Sequence, residues 1–179
     1  STVSYRGTAQ TVAAATYGHL VLTTSGVKTM PAAAIQVAGD FAVRMAASAT
    51  AAGAITVEGD SSFSPSSNFN AGSFTHHLEG NFANQSAAFN AGTSTFVFDG
   101  VAAQTIGGAA ATTFNNLTVG NAAGIQVATT TSVGGVLALN GGNITTGVNT
   151  VIIKATGSVN RTSGHVVGQL RKQISANGT

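Results

Sequence analysis

Residues 69–80 read FNAGSFTHHLEG and residues 89–100 read FNAGTSTFVFDG. The two stretches share their first four letters, end on the same glycine and stand 20 residues apart. A fixed spacing of this size marks a repeat architecture, in which one small unit is copied along the chain. Extending it both ways picks out Gly18, Gly39, Gly59, Gly80, Gly100, Gly120 and Gly141, always 20 or 21 residues apart.

The segments before these glycines are Ile35-Gln-Val37, Ile55-Thr-Val57, His76-His-Leu78, Phe96-Val-Phe98, Leu117-Thr-Val119 and Leu137-Ala-Leu139. Apolar residues at every second position predict short strands with one buried face. Ile35, Ile55, His76, Phe96 and Leu137 fall in one inward slot, and Val37, Val57, Leu78, Phe98 and Leu139 in the next. Before Gly120 the apolar pair slips by one residue, to Leu117 and Val119, which predicts a bulge there. The glycine itself is expected to supply a positive φ or a bulge. Helix is poorly supported: the Ala-rich run from Arg44 to Ala54 has no 3.6-residue apolar stripe and breaks at Gly53.

A unit of about 20 residues cannot bury its own apolar face, whereas stacked copies cover one another. The predicted fold is therefore all-β, a parallel β-solenoid (β-helix) of about eight turns. Residues 1–160 form the repeat domain. Residues 161–179 form a basic C-terminal edge segment leading to a further module or a neighbouring subunit. A β-sandwich of the same strands is the alternative, but the regular register and the Asn- and Gly-rich corners favour the solenoid. Two echoes suggest a longer duplication: Gln10-Thr-Val12 with Gln104-Thr-Ile106, and Val37 to Val43 with Val133 to Leu139.

Composition narrows the function. Ala (31), Thr (25), Gly (23) and Ser (16) make up over half of the 179 residues, and charged residues only 7%. Without Cys, thiol catalysis, disulfides and thiolate metal sites are excluded. Five carboxylates leave little material for acid–base chemistry. The high isoelectric point, about 9.4, reflects scarce acids rather than clustered bases, so no nucleic-acid partner is indicated. No apolar run approaches the ~18 residues of a membrane span. Residues 1–99 carry a net charge of −2, and residues 100–179, which lack acids, +4.

Several stretches carry a resemblance. GTAQTV at 7–12, TYGHLVL at 16–22, KTMPAAAIQVAGDF at 28–41, FNAGTSTFVFDG at 89–100, AQTIGG at 103–108, TTFNNLTV at 112–119 and LNGGNITTGVNTVII at 139–153 resemble repeat segments of large secreted or cell-surface proteins of bacteria, the adhesin-like β-solenoids. GHVVGQLRKQI at 164–174 is similar to the segment that follows such repeats. The resemblance implies an extracellular, cell-surface setting in which repeats span distance, present a surface or assemble into a filament. It carries no catalytic residue, and the chain is not expected to be an enzyme.

Candidate sites remain to be weighed. Glu58, Glu79 and Asp99 precede successive corner glycines, and Asp40 and Asp60 follow them. Stacked, they would form an acidic ladder, the one candidate for Ca²⁺ or for a carboxylate pair of the glycosidase kind. A Ca- or surface-glycan-binding module is thus the alternative function. The bland reading is a row of solvated turns, and no cofactor is expected. His76 and His77 point to opposite faces of a strand and do not suit one metal ion. The outward column Gln36, Thr56, His77, Val97, Ala138 is not the Thr array an ice-binding face would need.

The two ends concern assembly. Val3, Tyr5 and Val12 at one end, and Val166, Val167 and Leu170 at the other, have no evident cap. Arg161, Arg171 and Lys172 form a basic cluster that either protects the terminal edge or meets a protein partner. The expected partner is the chain itself, head to tail, with the basic end of one copy against the acidic half of the next, or adjacent modules of a longer chain.

Overall fold

The computed structural model describes residues 1–86 and 88–175. All regular structure in these residues is β, and no helix among them is long and apolar enough to cross a membrane. The strands fall on three faces that the chain visits in turn. The first face takes Thr2–Tyr5, His19–Leu22, Phe41–Val43, Ser61–Phe63, Phe82–Asn84, Gln104–Gly107, Ile125–Val127 and the start of Ile144–Ile153. The second takes Ala9–Thr11, Gly26–Thr29, Ala47–Thr50, Asn68–Asn70 and Ala88–Asn90. The third takes Thr16–Tyr17, Ile35–Val37, Ile55–Val57, Thr75–Leu78, Thr95–Phe98, Asn116–Val119, Val136–Leu139 and Ser158–Arg161. Thr112–Phe114, Thr131–Val133 and the ends of Ile144–Ile153 and Val166–Lys172 continue the second face. Pairing between successive turns is parallel on every face. This is a β-solenoid of about eight turns; the antiparallel sandwich is excluded.

The inward columns are as expected. One runs Tyr17, Val37, Val57, Leu78, Phe98, Val119, Leu139, Arg161, one residue per turn. Beside it Phe96 stacks between His76 and Leu117, followed by Leu137 and Val159. All these except the two members of the last turn are buried. The phenylalanines of successive turns meet in the middle of the rod. Ring centroids lie 5.1 Å apart for Phe63–Phe69, 5.3 Å for Phe82–Phe114 and 5.1 Å for Phe96–Phe114, within the range of favourable aromatic contact.

Four expectations are corrected. The glycines of the register do not have positive φ; that conformation belongs to others, such as Gly72 and Gly92. At Gly39, Gly80 and Gly141 a Cβ would strike the carbonyl oxygen of the preceding corner glycine. The register thus records backbone touching backbone. Nor is there a bulge at Leu117: it pairs in register with Phe96 and Leu137, and the odd residue is taken up by the corner, where Gly120 has room around it. The long echoes fall on different faces, Gln10 on the second and Gln104 on the first. What they share is a loop closure: the Gln10 Oε1 accepts the Gly7 N–H at 2.5 Å, and the Gln104 Oε1 accepts the Gly100 N–H at 3.1 Å. Finally, the boundary at 160/161 cuts a strand. Ser158–Arg161 and Val166–Lys172 pair with the turn before them and form the last turn of the same rod; residues 176–179 of that segment lie outside the described residues.

The run from Arg44 to Ala54 is not helical. It contains the strand Ala47–Thr50, entered through Met45 and Ala46 at φ of 52° and 60°. The second face is also displaced midway. After Ala88–Asn90 the chain makes an outward loop at 99–103, with Val101 98% exposed, before Thr112–Phe114 resumes that face. Gln104 anchors this loop, its Nε2 donating to the carbonyls of Leu78 (2.8 Å) and Gly80 (2.6 Å).

In one inward column Ser61 stands between Phe41 and Phe82. Its hydroxyl is buried without a hydrogen-bond partner among the described residues and borders a void of about 10 Å³ shared with Phe63, Phe69 and His76. Ser61→Ala is therefore expected to raise stability by up to about 1 kcal/mol, the desolvation cost of an unpaired hydroxyl, as read by urea midpoints. The corner contact has its own test. Gly80→Ala is expected to cost about 1–3 kcal/mol, the range for overpacking. Gly120→Ala, whose Cβ would lie 3.6 Å from its nearest neighbours, is expected to cost less than about 1 kcal/mol on the same scale. Equal losses at the two glycines would refute the close-approach account.

Candidate functional site

The corner between the third and first faces gathers all five carboxylates together with His19 and His77. At this corner the chain leaves one sheet for the next, and the amide of the residue after the glycine needs an acceptor. Side chains supply it from the turn before. The His19 Nδ1 accepts the Asp40 N–H (2.9 Å) and the Asp40 Oδ1 accepts the Asp60 N–H (2.9 Å). The Asp60 Oδ1 accepts the Asn81 N–H (2.8 Å), and the Asn81 Oδ1 accepts the Thr105 N–H (2.8 Å). The ladder is a seam of side chain to backbone bonds, each reaching one turn forward.

The second row of acids faces outward from this seam. The Gln36 Nε2 donates to the Glu58 Oε1 at 2.7 Å, and His77 shares a 2.6 Å hydrogen bond with the Asp99 Oδ2. Glu79 is exposed. Glu58, Glu79 and Asp99 therefore lie in one row but do not converge; among the described residues no three His, Asp or Glu side chains surround a common point. The shallow hollows on this rod, one of about 560 Å³ beside Ala123 and Gly142 and one of about 630 Å³ beside Ala34 and Gln36, are lined by small residues and backbone and hold no cluster of reactive groups.

His76 and His77 separate as their alternation requires. His76 is buried between Phe74 and Phe96. Its Nδ1 accepts the Ile55 N–H at 3.2 Å and its Nε2 donates to the Ala71 carbonyl at 2.8 Å. Only the neutral ring can do both, and burial pushes its pKa below the ordinary value of 6.5.

The ends differ from each other. At the N-terminal end Val12 is 1% exposed, so it belongs to the core rather than to an open end. Tyr5 is half-buried, and only Val3 among the three is exposed. Tyr17 donates to the Ala13 carbonyl (2.6 Å), Tyr5 hydrogen-bonds Tyr17 (3.1 Å), and the Ala13 N–H donates to the Tyr5 hydroxyl (3.0 Å). Burial, with the Tyr5 bond, raises the Tyr17 pKa to about 12, so the ring stays neutral. Lys28, which composition alone counts merely as a base, is fully buried beneath Gln10. Its Nζ donates to the Thr24 carbonyl at 3.2 Å, and its pKa is lowered by desolvation.

The C-terminal end is open. Val159 and Leu170 are each 45% exposed and Val166 is half-buried, although the residues beneath them, Leu137, Val151 and Ile144, are fully buried; Val167, expected at this end, lies instead above exposed Thr145 on the outward side of the strand. Arg171 is exposed. Lys172 folds back, its Nζ donating to the carbonyls of Lys154 and Ala155 (both 2.8 Å) and of Gly157. Val159 and Arg161 complete this end. Arg161 is a member of the basic cluster expected at this edge; Val159 becomes legible as an end residue only once its spacing from Leu137 is read.

A pH dependence follows from His76. Its folded pKa is below its unfolded value, so the unfolded chain takes up the proton first. Stability is fully present above about pH 6.5 and declines as pH falls from there toward the folded pKa. Urea denaturation at about pH 7.5 and about pH 5 is expected to show this loss, and His76→Leu, though weaker overall, should lose less between the two. An identical pH dependence in the variant would remove His76 as the cause.

Comparison with protein-family models, with curated proteins and with solved structures finds no match for this chain.

Proposed function

We propose that the chain is a section of an extracellular structural rod, an adhesin-like stalk, whose C-terminal end is covered by further β-structure. The observation that carries this reading is the inequality of the ends. The first turn buries Val12 and Tyr17 and leaves one inward apolar residue, Val3, 38% exposed above fully buried Leu20, while the last leaves Val159 and Leu170 each 45% exposed above a fully buried layer. Exposed apolar side chains on an unpaired parallel edge are a template for another strand. Apart from exposed Glu79, the acids of this corner are engaged in bonds between turns, which suits a load-bearing element better than a catalyst, and no reaction is assigned.

End-to-end stacking of identical copies, the other form of the structural reading, has less support. The acids that were to meet the basic end lie along a lateral corner, from Asp40 to Asp99, and residues 1–39 contain no carboxylate at all. Opposite charges therefore do not select a head-to-tail contact.

Two measurements test the reading. Antibodies against the folded chain are expected to label intact source cells, and external protease to remove the label; signal only after lysis would refute the extracellular rod. Millimolar Ca²⁺ or soluble cell-surface polysaccharide is expected to leave the thermal midpoint unchanged. A rise of several degrees would replace the rod with the binding module, since a ligand that binds only the folded state stabilises it.

A further inference from the structure

We propose that the strand covering the C-terminal end is not the first turn of a second copy of this chain and carries a carboxylate above Arg161, with apolar residues above Val159 and Leu170. This rests on the reading of that end as a covered one.

The surface is defined by register. In the last turn Val159 continues the column of Leu137, Arg161 that of Leu139, Leu170 that of Val151 and Lys172 that of Ile153. A covering turn would thus bury two apolar residues and two cations. The two cations are not equivalent. The Lys172 ammonium has three protons and three carbonyl acceptors, from Lys154, Ala155 and Gly157; it can be covered with no new partner. Arg161 is exposed, and its side chain has no hydrogen-bond or carboxylate partner among the described residues. Covering it with an apolar residue would strand a buried charge. A planar guanidinium at that position is matched by a carboxylate, which it can hold through two parallel bonds. The partner strand therefore reads apolar, any residue, acidic across Val159 to Arg161.

A second copy of this chain does not meet the requirement. In a head-to-tail stack Arg161 would fall on Tyr17, the first member of the same column. Tyr17 is buried, its hydroxyl is engaged with Ala13 and Tyr5, and its raised pKa keeps it uncharged. The charged side chain of that turn, Arg6, and that of Lys28 on the turn beneath it are both cationic. A tail-to-tail stack would bring Arg161, Arg171 and Lys172 against their own copies.

The test presents strands to the full chain by appending them at its C-terminus through a flexible Gly/Ser linker. One strand carries Val-Thr-Glu at the slots above Val159 to Arg161; the other differs only in Lys for Glu. Hydrogen exchange at Val166–Lys172 and Ser158–Arg161 is expected to slow about tenfold or more with the Glu strand and hardly at all with the Lys strand. Arg161→Glu is expected to reverse that preference. Equal protection by both strands, or a preference unchanged by Arg161→Glu, would overturn the carboxylate assignment while leaving the covered end intact. Protection by neither would overturn the covered end itself and the rod reading with it. Sedimentation of the unmodified chain is expected to show monomer at low and high salt; a concentration-dependent polymer would overturn the exclusion of a second copy.

Discussion

Backbone touching backbone at the glycine corners is the contact on which the rest of the rod depends. A residue with a Cβ at Gly39, Gly80 or Gly141 would hold successive turns apart. Parallel strands must lie about 4.8 Å apart to exchange hydrogen bonds. The corner is where a side chain most easily prevents that approach, because the chain bends there and brings its own bulk inward. Removing the Cβ lets three sheets keep one pitch. Once the pitch is common to all faces, like residues fall above like, and the columns from Tyr17 to Arg161 and from Ile35 to Val159 follow.

The same constraint explains the chemistry of the acidic corner. A corner that turns between two sheets leaves amides that neither sheet can satisfy. Short side chains with an acceptor two or three atoms from the backbone reach the next turn, and His19, Asp40, Asp60 and Asn81 all do so. Carboxylate, amide and imidazole are interchangeable in this role because each offers one acceptor at nearly the same distance. This accounts for the mixed identity of the column, which a metal site built from a regular ladder would not show.

Period and alternation made much of this architecture legible from residue letters. The inward slots at Ile35, Ile55, Phe96 and Leu137 follow from a rule that holds for any half-buried strand, and so does the outward turn of His77. What escaped was whatever depends on a third dimension. That the register glycines serve proximity rather than φ requires knowing which backbone lies beneath them. The displacement of the second face after Asn90 arises because one corner lengthens by about as much as another shortens, so the total spacing hardly changes. The Thr and Asn column at Thr29, Thr50, Asn70 and Asn90 was missed because only strands preceding the register glycines were aligned. In that column Asn70 and Asn90 use their side chains to fold their own turns, accepting the N–H of Gly72 and Gly92.

Lys28, Arg161 and Lys172 show why end residues resist sequence reasoning most. All three occupy inward slots, where alternation calls for an apolar residue; Arg161 and Lys172 lie in the last turn, and Lys28 lies one turn in from the first, beneath Gln10. Inside a stack a column position is covered from both sides and a cation there is costly. In a terminal turn one side is free, and a long amphipathic side chain can cover the core with its stem while its charged head finds carbonyls or water. Lys28 and Lys172 have found carbonyls. Arg161, exposed at the end of a core column, has no partner for its charge among the described residues. An inward position with an unpaired charge is stable only while the surface above it stays wet, or when what dries it brings the opposite charge.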